Sequence, residues 1–285
     1  RSNPHRSLGN IVARSCQRPG AKEMKMEKFF SVAREAAESA GSLIRENWHE
    51  AKEIYYKSAI ALVTTVDRQA EERIAHLLQK HFPDHSILAE EEATIVSPHS
   101  DYRWIIDPLD GTTNFAHAYP HFSVSIALER AGEIILGLVY DPLREESFQA
   151  GKGTGAFLNG NPIKTSKVGE LDKALLATGF PYDRREHADF YLAFFKDFMI
   201  RCQGIRRNGS AALDLCYLAC GRVDGFWEFK LHPWDTAAGS LIVREAGGTL
   251  TDFSGNKFSI WGEETLASNG LIHPEMLEAI RQINV

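Results

Sequence analysis

Trp104-Ile105-Ile106-Asp107-Pro108-Leu109-Asp110-Gly111-Thr112-Thr113-Asn114 is the stretch on which the reading of this chain turns. Its first three residues are apolar and read as a short buried strand. Two carboxylates three residues apart follow, then a glycine and two hydroxyls. Hard divalent cations such as Mg²⁺ take anionic oxygen ligands in tight octahedral geometry, commonly completed by water and a substrate phosphate. Asp107 and Asp110 carry such oxygens. Gly111 lets the backbone approach an anion, and the residues after it can open a helix whose N–H groups point at a phosphate. Alone, Asp-x-x-Asp reads as a solvated loop.

Two other segments strengthen the first reading. Upstream, Ile87-Leu88-Ala89-Glu90-Glu91 is an apolar run that ends in paired acids. Far downstream, Trp234-Asp235-Thr236-Ala237-Ala238-Gly239 leads into the helical pattern of residues 241–246. Each places acids at the edge of an apolar element. Carboxylates gathered together repel, and bound cations relieve that repulsion. If residues 87–91 are extended, Glu90 and Glu91 point opposite ways, so only one can serve as a ligand. The alternation leaves open which of the two it is.

The rest of the chain alternates helix and strand signals, which gives a layered α/β or α+β architecture. Amphipathic helices are expected over residues 26–48 and 67–82, the second ended by Pro83-Asp84. Helices are also expected over 190–200, 210–219 and 237–246. Short buried strands are expected at 87–89 and 104–106. Residues 122–128 and 134–140 read as a hairpin turning at Arg130-Ala131-Gly132. Further strands are expected at 146–150, 156–158 and 174–178. Asp67, followed by Glu71 and Glu72, suits a helix N-cap. Glu228 stands among aromatics in Phe226-Trp227-Glu228-Phe229, the setting of a partly buried acid. His117, His121 and His232 lack zinc-site spacing and read as packing or loop residues. No Ser, His or Cys stands in a recognisable nucleophile motif.

Composition narrows the classes further. The net charge of −6 argues against nucleic-acid binding through a basic face. No apolar run approaches the roughly 18 residues needed to span a membrane. Four cysteines (Cys16, Cys202, Cys216, Cys220) form neither a CxxC pair nor a short disulfide framework, which fits a reducing, cytoplasmic setting. Residues 1–23 are rich in Arg, Ser, Pro and Asn without apolar periodicity. They read as a dispensable disordered tail ahead of one catalytic domain, with an organelle transit peptide as the alternative.

Residues 104–117 read WIIDPLDGTTNFAH and residues 234–248 read WDTAAGSLIVREAGG. On these two motifs, in this order, the chain resembles the inositol monophosphatase family of Mg²⁺-dependent, lithium-sensitive phosphatases, from about Met26 to the C-terminus. The resemblance implies an α+β sugar-phosphatase fold layered α/β/α/β/α, with the active site between halves at roughly 24–158 and 159–285. It implies two or three Mg²⁺ ions. Glu90, Asp107 and the carbonyl of Leu109 match one metal site, which leaves Glu91 a supporting or surface role; Asp107, Asp110 and Asp235 match a second, with Asp107 bridging. Asp67, Thr112 and Glu90 match the catalytic set, Asp67 pairing with Thr112 to polarise the attacking water.

Asp110, Gly111, Thr112, Gly209, Ser210, Ala211, Glu228 and Asp235 match substrate contacts. Gly111 and Thr112 would reach the phosphate through their N–H groups, and Glu228 a substrate hydroxyl. Lys57 matches a lysine near the metal loop. Ala89 stands where the family has glycine, a change that is tolerated unless φ is positive. The implied reaction is hydrolysis of inositol monophosphate by a homodimer. Fructose-1,6-bisphosphate, histidinol phosphate and nucleotide 3′-phosphates are alternative substrates, distinguished at residues 182–187 and 209–228. Some bacterial relatives also partner the transcription machinery, an added role at most, since none of the metal acids is missing here.

Overall fold

The computed structural model describes residues 21–49, 54–56 and 62–284. Lys57 and the first 20 residues of the expected tail lie outside the described residues. Helix α1 (Ala21–Glu46) buries Phe29, Val32, Ala33, Ala36, Ala37, Ala40, Leu43 and Ile44 along one stripe. It starts five residues before the expected Met26, because Ala, Lys, Glu and Met are all strong helix formers. Strands β1 (Ile54–Tyr56) and β2 (Leu62–Thr64) pair antiparallel. Helix α2 (Thr65–His81) follows directly. Its N-cap is Thr64, not Asp67: Thr64 Oγ1 accepts from the N–H of Val66, and Asp67, at the third helical position, reaches back to the N–H of Thr64.

Strands β3 (Ser86–Ala89) and β4 (Tyr102–Asp110) lead to the short helix α3 (Thr112–Ala116). A meander follows: β5 (Ser123–Arg130), β6 (Glu133–Asp141), β7 (Glu146–Gly151), β8 (Gly155–Leu158) and β9 (Asn161–Ile163). The expected hairpin is β5–β6, and Ala131 and Gly132 both take positive φ at its turn. The remaining elements are β10 (Leu175–Thr178), α4 (Ala188–Arg201), β11 (Gly204–Arg206), α5 (Ala211–Ala219), β12 (Gly225–Phe229), α6 (Pro233–Glu245), β13 (Thr249–Thr251), β14 (Glu264–Ser268) and α7 (His273–Arg281).

One sheet runs β3 to β9 in sequence order, with only β3 and β4 parallel. The other has the order β11-β10-β12-β14-β13. Alternating side chains show how they stack. Trp104 and Ile106 face a core shared with α1 and α2, while Ile105 faces one shared with α5 and α6. In the second sheet Phe226 joins that α5–α6 core, and Trp227 joins a third core with α4 and α7. The layers are therefore α/β/α/β/α. Helix α6 lies so close on the first sheet that a Cβ at Gly137 would stand 2.6 Å from the carbonyl oxygen of Ala238.

Candidate active site

A regular strand points residues three apart to opposite faces. Asp107 and Asp110 nonetheless serve one cleft, because β4 carries a bulge between them. Asp107 pairs with Ser125 and Asp110 with Ser123, so three steps on β4 match two on β5. Pro108 sits in the bulge, where a missing N–H costs no ladder bond. The strand expected to end at Ile106 thus runs on to Asp110.

Parallel pairing of β3 and β4 puts Ala89 beside Ile106, so Glu90 emerges next to Asp107. Glu90 lines the cleft and Glu91 does not, as read from sequence. Ala89 has no positive φ, so the change from glycine costs nothing there. Asp235 comes from the first turn of α6, where the helix dipole favours a carboxylate.

Each of these aspartates is held by donors. Asp107 Oδ1 accepts from the N–H of Leu109 at 3.0 Å. Asp110 Oδ2 accepts from Ser210 Oγ at 2.5 Å and from the N–H of Ala212 at 2.8 Å. Asp235 Oδ2 accepts from the N–H of His232 at 2.6 Å. One oxygen from each of Asp107, Asp110 and Asp235 lies within 4.8 Å of the others. Burial holds the Asp107 carboxyl well above the usual range, and the negative fields of Glu90, Asp110 and Asp235 add to it. Burial likewise pushes Asp110 up to about 6. A crowded set of acids, two buried and one half-buried, with only oxygen donors fits a hard cation such as Mg²⁺. Glu90 and Leu109 line the same cleft, outside that group of three.

Beside this cluster, Asp67 is 1% exposed and is pushed up to about 6 by burial, against the hydrogen bonds it accepts. Thr112 Oγ1 stands 2.8 Å from Asp67 Oδ1 and 3.1 Å from the carbonyl of Leu109. Gly111 takes φ 102°, and a Cβ there would press on the carbonyl of His121 at 3.0 Å and of Gly209 at 3.2 Å. Glycine is required on both counts.

The second half of the chain closes the cleft, which encloses about 530 Å³. Gly209, Ser210, Ala211 and Glu228 line it as expected. Burial raises the Glu228 carboxyl well above its ordinary value, opposed by the nearby Arg207. Sequence reasoning did not single out Asn114, although it lies within the first motif. Its Nδ2 donates to the carbonyls of His121 at 2.7 Å and Asn208 at 2.8 Å, the second of which ties α3 to the opposite half. Asn208 in turn donates to buried Asp214. His121 packs beside Asp214 with Nε2 at 3.9 Å, its ring held neutral by burial. His117 ends α3 and His232 precedes α6. On the outer wall, Asp183 accepts from Lys230 Nζ at 2.5 Å and from the Tyr191 hydroxyl at 2.7 Å.

Comparison with known proteins agrees with this geometry. Residues 25–284 match the inositol monophosphatase family. The chain is 43% identical over 267 residues to an inositol-1-monophosphatase of Synechocystis sp., covering 93% of each protein. It is 43% identical over 258 residues to the Nus factor SuhB of Escherichia coli, covering 90% of this chain and 97% of the relative. The solved inositol monophosphatase of Anabaena (Nostoc) sp. superposes with a TM-score of 0.83 at 42% identity, covering 91% of this chain and 98% of that one. With its two motifs folded into a single acid-lined cleft, the chain belongs to the inositol monophosphatase family.

Proposed function

We propose that this phosphatase hydrolyses inositol monophosphate to myo-inositol and phosphate, with water as the nucleophile. The observation that carries the reading is the meeting of Asp107, Asp110 and Asp235 within 4.8 Å, beside the Asp67–Thr112 pair. Glu90, Asp107, Asp110, Asp235 and the Leu109 carbonyl would hold two or three Mg²⁺ ions. When bound, Mg²⁺ supplies Lewis acidity that favours ionised water, neutralises phosphate oxygens and stabilises a leaving alkoxide.

The chain supplies the positioning. Thr112 Oγ1, donating its proton to Asp67, turns its lone pairs toward the attacking water and orients it. The N–H groups of Gly111 and Thr112 receive the phosphate oxygens. Ser210 and Ala211 line the path of the polyol, and Glu228 receives one of its hydroxyls. A homodimer acting in the cytoplasm is part of the proposal. Among the described residues no helix is long and apolar enough to cross a membrane. Residues 24–285 form the catalytic domain in this reading, and α1 extends it back to Ala21.

Initial rates measured in parallel on inositol monophosphate, fructose-1,6-bisphosphate, histidinol phosphate and a nucleoside 3′-phosphate test the substrate. The first should be turned over fastest, and a faster rate on another would replace it. Chelation should abolish the rate, Mg²⁺ should restore it and Li⁺ should inhibit. Full activity in metal-free buffer would sink the metal assignment. The relative named Nus factor SuhB favours one added role, contact with the transcription machinery. A pull-down with RNA polymerase tests it separately from catalysis.

A further inference from the structure

Helix α2 carries two buried carboxylates one turn apart. Asp67 belongs to the Thr112 pair described above. Glu71, four residues later and 2% exposed, lies on the same helix face. Its oxygens accept three successive backbone N–H groups: Glu91 at 2.8 Å on Oε2, and Glu92 and Ala93 each at 2.6 Å on Oε1. Converging amides can satisfy a buried anion much as a cation would. They belong to the segment that leaves β3 directly after Glu90.

That segment needs an anchor. Strand β3 ends at Ala89, so Glu90 lies beyond the regular ladder. Its own N–H reaches the carbonyl of Ile106 at 3.2 Å, which ties the incoming side to β4. Glu71 ties the outgoing side to α2. The backbone is thereby pinned before and after the residue that must aim a carboxylate at the cluster.

We propose that Glu71 is a positioning residue for the metal site. Its carboxylate fixes the peptide that follows Glu90, and so fixes where the Glu90 carboxylate stands relative to Asp107. The inference rests on the reading of the cleft as a Mg²⁺ site. One helix then carries both the residue that orients Thr112 and the residue that aims the outlying acid, about 6 Å apart. Partners that orient metal ligands from behind commonly matter about 10–100-fold in metal affinity.

The test is a calorimetric Mg²⁺ titration of the full chain, with Mg²⁺-dependent rates on inositol monophosphate alongside. Glu71→Ala should weaken Mg²⁺ binding by about 10–100-fold and raise the Mg²⁺ concentration for half-maximal rate in step. Glu71→Gln keeps one acceptor oxygen and should fall between it and the wild type; it also carries the test should Glu71→Ala fail to fold. Turnover and KM at saturating Mg²⁺ should stay near wild-type values. Glu72→Gln, on the exposed side of α2, should change nothing. Mg²⁺ affinity unchanged in the Glu71 variants while the thermal midpoint drops would overturn the proposal, leaving Glu71 a purely structural anchor. Turnover lost equally at every Mg²⁺ concentration would also overturn it. Absence of Mg²⁺ binding by the wild type would instead overturn the reading of the cleft itself.

Discussion

Asp107, Asp110 and Asp235 on one side of the cleft, and Tyr182, Asp183 and Arg184 on the other, are held by different kinds of contact. The acids hang on strand β4 and the first turn of α6. Backbone N–H groups or a buried hydroxyl grip each of them at 2.5–3.0 Å. Tyr182 is 57% exposed, and its loop is tied down at Asp183 by the Tyr191 hydroxyl and by Lys230, whose side chain is 46% exposed. Exposed pairs of that kind contribute about 0–1 kcal/mol. Asp107 and Asp110 cannot shift without abandoning buried hydrogen bonds, whereas the outer loop can change residues at little cost to the fold. In the function proposed above, chemistry is fixed on one side and selectivity is adjustable on the other.

The sharpest way to break this contrast is on the acid side. Asp107→Asn and Asp235→Asn should each lower turnover by roughly 10²–10³-fold or more, the scale of losing a preorganised electrostatic contact. Both variants should fold. Without metal their thermal midpoints should hold or rise, because one repelling charge is gone. Their gain on adding Mg²⁺ should shrink, since binding stabilises by mass action. A variant that melts early without metal yet turns over normally with it would reverse the assignment.

A pH series probes the same burden of buried acids. Burial pushes Asp67 and Asp110 up to about 6, and Asp214 up to about 8. The native chain therefore keeps protons that the unfolded chain has released above about pH 4. Stability of the metal-free protein should be greatest at about pH 4 and below as far as these groups decide it, and should fall as pH rises toward 8. A drop in midpoint of roughly 5 °C or more is expected. Differential scanning calorimetry in EDTA reads it directly, and a midpoint that climbs from pH 5 to 8 would contradict it.

Asn114 ties the turn after Asp110 to Asn208 in the second half of the chain, so its loss should act on substrate binding. Asn114→Ala should raise KM for inositol monophosphate by roughly tenfold, about 1.4 kcal/mol, with a smaller change in kcat. An equal fall in kcat and kcat/KM would place its role in the transition state instead. The smallest effect is expected on the outer loop. Tyr182→Ala should leave the rate on inositol monophosphate within about threefold while changing the ratio of rates between substrates, read by competition between two phosphate esters. A loss as large as that of Asp107→Asn would erase the contrast.

Much of the acid side was legible because its residues lie in two contiguous motifs. Asp107, Asp110 and Asp235 come together as read. The bulge at Pro108 was not legible, since it exists only relative to β5 and the sequence of β4 contains no record of its partner's register. Glu71 looked like one more acid at a helix start. Its role depends on a segment 20 residues downstream folding back over it. Strands β11 to β14 escaped notice for a different reason. They are three to five residues long, and β12 is covered on both faces, so Phe226-Trp227-Glu228-Phe229 shows no polar alternation. The early start of α1 reflects a helix nucleated by tertiary packing and extended by local propensity.

The contact between Gly137 and Ala238 means that one aspartate's position is calibrated from the far half of the chain. Two backbones touch there, so any side chain at residue 137 would act as a shim beneath α6. Asp235 lies three residues from Ala238, about 4.5 Å along the helix axis, close to the fulcrum. A single methyl group on a strand that touches neither phosphate nor metal could thus detune the spacing of the acids. The tolerance of this cleft is set partly by the absence of an atom in β6.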